Sequence, residues 1–100
     1  MNMILILGFG AEAITACRLA IRRGFIPYAP EVFFPTFVGP EDLDLKNHAR
    51  ETMLDQLVYA DEIWLTGDEI SEDQAELIRK AKKLNKPVKL WGGVDLLPAA

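Results

Sequence analysis

Two groups of residues in this sequence are of types and spacings that can do chemistry. The first is Gly8-Phe9-Gly10-Ala11-Glu12-Ala13, which follows the pattern G-x-G-x-x-A, with Glu31 about twenty residues later. Where such a loop joins a strand to a helix, its amides cradle a pyrophosphate and the later acid takes ribose hydroxyls, so dinucleotide binding has to be weighed. The same glycines also make a plain tight strand-to-helix turn, which is compatible with any ligand class. The second group is acidic: Asp68, Glu69, Glu72, Asp73 and Glu76 place five carboxylates within nine residues. They can hydrogen-bond ribose hydroxyls or a base edge, attract a cation, or form a solvated helix start whose dipole favours acids. They repel phosphate unless basic groups compensate. No spacing resembles a calcium loop or a zinc site, so neither a metal nor a cofactor is expected.

The remaining reactive side chains read as structural. His48, the one histidine, stands beside Asn47 and Arg50 with no nucleophile partner and reads as a surface or helix-packing residue. Cys17 is alone, which excludes an internal disulfide, and it reads as a small core residue. Trp64 and Trp91 fall on strands and read as core. Phe9 and Phe34 fall in loops at the expected site, where an aromatic ring can stack on a base or serve as hydrophobic cover.

The elements that must position these residues follow from hydrophobic periodicity. Ile4-Leu5-Ile6-Leu7 is a continuous apolar run closed by Gly8, as in a strand buried on both faces. A helix follows from Ala11 to Arg23, with Ile14, Cys17, Ala20 and Ile21 as its apolar face and Gly24 as its stop. Phe25 to Pro30 contains two prolines that cannot donate to a ladder, which predicts a short edge strand. Glu31 to Pro40, with Phe33, Phe34 and Phe37, is too apolar for water and is expected to cover the pocket or meet another subunit. A second helix is expected from Pro40 to about Tyr59, with Leu45, Ala49, Leu54, Leu57 and Val58 inward. Glu62 to Thr66 is a strand. Ser71-Glu72-Asp73-Gln74 fits a capping box, so a third helix starts near residue 72 with Leu77, Ile78, Ala81 and Leu84 inward. Pro87 to Trp91 is the last strand, ended by Gly92-Gly93.

This alternation predicts an α/β domain spanning residues 1–100: a three-layer, flavodoxin-like fold whose four parallel strands lie in the order 2-1-3-4 with helices on both faces. Ligands of such sheets bind beyond the carboxyl ends of the strands, near the switch point between strands one and three. That places a site among residues 8–12, 29–37 and 66–76, with Gly8, Phe9, Gly10, Pro30, Glu31, Phe34, Gly67, Asp68 and Ser71 as ligand-binding candidates. A dinucleotide fits poorly, because the second strand carries prolines and 100 residues leave little room for a substrate-binding half.

The formal net charge is -4, so no polymeric nucleic acid or anionic membrane is expected as partner. The apolar opening is too short to span a bilayer and lacks the features of a secretory signal, which leads to a cytoplasmic expectation. A chain of 100 residues buries a small fraction of its surface, and homo-oligomerisation is an expected source of extra stability.

Three separated blocks carry a family resemblance. Gly24-Phe25-Ile26-Pro27-Tyr28-Ala29-Pro30 with Phe33-Phe34-Pro35-Thr36-Phe37, then Ala60-Asp61-Glu62-Ile63-Trp64-Leu65-Thr66-Gly67-Asp68-Glu69-Ile70-Ser71, then Ala81-Lys82-Lys83-Leu84-Asn85-Lys86-Pro87-Val88, resemble the small, often phage-borne branch of the nucleoside 2-deoxyribosyltransferase-like family. The resemblance implies a flavodoxin-like sheet and a nucleoside or nucleotide ligand. It also implies N-glycosidic bond cleavage by a nucleophilic glutamate with an acidic partner, work suited to carboxylates because they stabilise an oxocarbenium-like transition state. This sequence departs from that pattern at the functional positions. The family's glutamate falls on Leu77, the glycine of its G-M-x-x-E on Asp73, its helix-two aspartate on Met53, its P-H-L-x-F-P histidine on Glu31, and Gly-Phe-Gly replaces Gly-Pro-Tyr.

Three expectations follow, of which one is enzymatic. The first is a catalytically silent nucleoside- or nucleotide-binding protein, of use in sequestering a nucleotide signal. The second is an active N-glycosidase or deoxyribosyltransferase with Glu76 as catalytic residue, assisted by Asp68 or Glu31. Glu76 lies one position before Leu77, about 100° around the helix, and reaches the pocket only if that helix is rotated or starts irregularly. The third is a structural interaction module built on the Phe33–Phe37 patch.

Overall fold

A computed structural model describes residues 2–67, 69–92 and 97–98; Asp68 and Gly93 lie outside the described residues. Its elements are β1 (Met3–Leu7), α1 (Gly10–Arg22), β2 (Ile26–Tyr28), the single turn α2 (Pro30–Phe33), α3 (Leu43–Gln56), β3 (Glu62–Thr66), α4 (Glu72–Lys83), β4 (Val88–Gly92) and β5 (Leu97–Pro98). Short 3-10 turns follow α2 at Phe34–Thr36 and α3 at Leu57–Tyr59. The strands lie in the order β2-β1-β3-β4-β5. The first four are parallel, as the alternation of strand and helix requires, and the two-residue β5 adds antiparallel to β4.

Chain direction decides which helix covers which face. The step from β1 to β2 moves one way across the sheet and the steps from β2 to β3 and β4 move the other way, so right-handed crossovers put α1 on one face and α3 with α4 on the opposite face. The core divides accordingly. Leu5, Leu7, Ile63 and Leu65 meet Met53, Leu57, Leu77 and Ala81, while Ile4, Ile6, Trp64 and Trp91 meet Ala13, Ala16 and Ala20. Burying a side chain such as Leu77 contributes about 1.5–3 kcal/mol, which is what holds α4 in place. Two lysines add polar ties between the ends of these helices: Lys80 Nζ donates to the Leu54 carbonyl at 2.9 Å and Lys86 Nζ to that of Val58 at 3.1 Å.

Three details differ from the periodicity reading. In α1 the buried face is Ala13, Ala16 and Ala20, whereas Ile14 and Ile21 are exposed. The reason is volume: the facing strands carry two indoles, and only methyl side chains let the helix approach them closely. Cys17 is half-buried beside the same cluster. In α3 and the turn after it Leu57 is buried as expected, but Met53 is the other buried residue, and Leu45 and Val58 are exposed. That helix also starts at Leu43, because the Asp42 carboxylate folds back to accept the Gly39 N–H at 3.0 Å and so does not cap the following turn. β2 is short and lies at the sheet edge, as its prolines require. His48 is exposed and stands 3.7 Å from Asp44 one turn away.

Candidate functional site

The carboxyl ends of β1 and β3 diverge into two clefts. β1 leaves the sheet through Gly8, whose φ of 142° lies outside the ordinary range of L residues. Thr66 makes that glycine necessary: its hydroxyl donates to the Leu7 carbonyl at 3.0 Å, and a Cβ on Gly8 would collide with the same hydroxyl oxygen. The chain then passes Phe9 in extended conformation and enters α1 at Gly10, with no side chain capping the helix. The Phe9 ring is 63% exposed.

On the opposite side α4 begins with the capping box expected from its sequence. Ser71 Oγ accepts the Gln74 N–H at 3.1 Å, and Gln74 Oε1 accepts the Ser71 N–H at 3.1 Å. Gln74 has a second role, because its Nε2 donates to Glu31 Oε1 at 2.8 Å. The same Glu31 oxygen accepts the Gly8 N–H at 2.9 Å. One half-buried carboxylate thus joins the β1 exit, the short helix after β2 and the start of α4. Burial pushes the Glu31 carboxyl above its ordinary value; the bonds from Gln74 and Gly8 oppose that shift, and the negative charge of Asp73 adds to it.

The first cleft, about 460 Å³, is lined by Gly8, Phe9, Glu12, Thr66, Gly67, Ser71, Gln74 and their neighbours Glu69 and Ile70. The second, about 320 Å³, lies across Phe9 and is mainly apolar, with Pro30, Phe34, Pro35 and Val38 on one wall and Met53 and Ala49 of α3 on the other. Glu31, Asp73, Lys46 and Arg50 supply its charged groups. The segment after β2 is therefore a cleft wall, with Phe33, Phe34 and Phe37 packed edge-on or tilted against one another at centroid separations of 5.1–6.1 Å.

The sequence-derived candidates distribute between these clefts. Gly8, Phe9, Gly67 and Ser71 line the first, and Phe9, Pro30, Glu31 and Phe34 line the second. Gly10 lines neither and serves the turn into α1. Asp68 lies outside the described residues. Glu76 lines neither cleft: α4 starts regularly, Leu77 faces the core, and Glu76 turns to Arg50, whose Nη1 lies 3.0 Å from its Oε2. Thr66, Gln74, Lys46 and Arg50 were not singled out from sequence as cleft residues. Gln74 carried a signal, since a glutamine in the last capping-box position retains an amide donor after its carbonyl has capped the helix. Among the described residues no cluster of three metal-ligating side chains occurs, and no helix is long and apolar enough to cross a membrane.

Comparison with known proteins gives a family without an assigned activity. The model of a domain of unknown function (DUF7768) matches residues 10–91, most of the chain, and the chain belongs to that family. No curated protein matches it.

Proposed function

We propose that this member of the DUF7768 family binds a nucleoside or nucleotide in the paired clefts and leaves it intact. The observation that carries the reading is the arrangement around Phe9: an exposed ring shared by two clefts, of which the first carries more polar groups, at the switch point of a parallel sheet. A ring so placed can stack on a base while Glu31, Ser71 or Thr66 meets sugar hydroxyls. The resemblance to the deoxyribosyltransferase-like family supports the same ligand class. Absence of turnover rests on Leu77 and Met53, which stand where that family keeps carboxylates and are buried in the core. Glu76, the acid next to that position on α4, is paired with Arg50 and lines neither cleft. A binder without turnover suits sequestration of a small-molecule signal.

The test is mass spectrometry of the purified protein after incubation with mixed nucleosides, nucleotides, dinucleotides and cyclic nucleotides. Retained ligand with no released free base is the expected result, unchanged in Glu76→Gln. Released base that disappears in Glu76→Gln would instead establish N-glycosidic cleavage by that residue, and no retained ligand would remove the binding reading.

A second reading has its own observation: Phe33 and Phe37 are 59% and 55% exposed on one aromatic cluster. Such a patch fits an interface between two copies of this chain. Sedimentation equilibrium would show a dimer that Phe37→Ser dissociates, and a monomer at all concentrations would exclude it.

A further inference from the structure

We infer that Glu31 sets the charge selectivity of the clefts, admitting an uncharged, hydroxyl-bearing ligand and turning away phosphate from the first loop. The inference rests on the nucleoside or nucleotide reading and narrows it to the unphosphorylated class. In a loop of this pattern the amides between strand and helix are the donors an anionic ligand uses. Here the Gly8 amide already serves Glu31 Oε1 at 2.9 Å, and the nearest side-chain amide, Gln74 Nε2, serves the same oxygen at 2.8 Å. The chain's own carboxylate thus holds the loop's first amide and the nearest side-chain amide, and stands as a negative charge beside the uncapped start of α1.

That carboxylate is not easily displaced. Gln74 is 3% exposed and fixed by the capping box, so it cannot follow a ligand outward, and Gly8 is fixed by Thr66. An incoming phosphate would have to break both bonds or sit against a like charge at short range. Charges nearby do not relieve this. Glu12 and Glu69 are the titratable residues lining the first cleft among the described residues. In the second cleft Lys46 and Arg50 are matched by Glu31 and Asp73, and Arg50 is already paired with Glu76 at 3.0 Å.

The same geometry favours a neutral hydroxyl. Glu31 Oε2 accepts no hydrogen bond among the described residues, and a carboxylate oxygen is acceptor-only when ionised, so a sugar hydroxyl donating to it completes the carboxylate's shell. Glu31 is thus a specificity-determining residue whose negative charge performs the discrimination.

Titration calorimetry with adenosine, guanosine, cytidine, uridine and thymidine, each against its 5′-diphosphate, tests this at about 50 mM salt. For the base that binds, the nucleoside should bind at least about tenfold tighter than the diphosphate, a difference of about 1.4 kcal/mol. Glu31→Gln keeps an acceptor toward Gly8 and Gln74 while removing the charge, and should narrow that ratio about threefold or more. Should the variant not fold, raising the salt to about 500 mM on the unaltered chain should narrow it as well, because repulsion between partly exposed charges is screened. A diphosphate that binds as tightly as its nucleoside, or a ratio indifferent to both the variant and salt, overturns the selectivity and leaves the binding reading standing. Failure of both members of every pair removes the binding reading, and the selectivity with it.

Discussion

α1 and α4 start at the same end of the sheet and solve the same problem differently. A helix start has amides without intrahelical partners, and α4 satisfies two of these with its own Ser71 and Gln74. α1 has no side-chain cap; its entry relies on positive φ at Gly8 and Gly10 and leaves the Phe9 ring in water. The contrast separates a closed helix start from an open one. Polar groups at α4 are closed on one another and on Glu31, so that start is a fixed floor. The Phe9 ring at the start of α1 is exposed and lines both clefts.

The largest expected effect that would sharpen this contrast is at Gly8. Gly8→Ala places a Cβ against Thr66 Oγ1 at a strained φ and should cost about 3 kcal/mol in urea denaturation. A loss under about 1 kcal/mol would mean that the α1 entry relaxes freely around Thr66.

A smaller effect should appear at Glu31, as a dependence on pH. A carboxyl whose value is raised in the folded chain holds its proton to higher pH than in the unfolded chain. Its contribution to stability is therefore greatest in acid, below the ordinary carboxylate value, and is lost as pH rises through the folded value. Glu31→Gln removes that dependence, so stability relative to the unaltered protein should improve between about pH 4 and pH 7. A stability difference constant over that range would show that burial of Glu31 does not control its proton.

The smallest effect on stability belongs to Phe9. Phe9→Ala should change unfolding by no more than about 0.5 kcal/mol, as expected of an exposed residue outside the core. If its ring stacks on a base, ligand affinity should nevertheless fall about tenfold, within the range that stacking supplies. Unchanged affinity with lost stability would reverse the roles assigned to the two helix starts.

The sheet order was legible because its signals are local. Ile4-Leu5-Ile6-Leu7 is apolar without alternation, which marks burial on both faces, and Ser71 with Gln74 marks a helix start to the residue. The α1 face was misread for a tertiary reason: the packed volume of Trp64 and Trp91 selects alanines for contact and turns the isoleucines outward. The position of the clefts was legible to the level of their loops, since Gly8, Phe9, Glu31, Phe34 and Ser71, named from strand order and local motifs, line them. What was not legible is the bond between Gln74 and Glu31, which joins residues 43 positions apart and depends on side-chain direction that no periodicity encodes. Glu76 shows the same limit, because its pairing with Arg50 depends on how α3 lies beside α4.

The two indoles of the chain lie together, with ring centroids 4.9 Å apart and the Arg23 guanidinium over both at 5.2 and 5.9 Å. Both rings are buried on the α1 face, and neither lines the two clefts around Phe9. Intrinsic tryptophan fluorescence of this protein is consequently a single-locus optical gauge. It follows solvent entry beneath α1 and is silent on events around Phe9, so a titration watched through that emission would miss a ligand that calorimetry records.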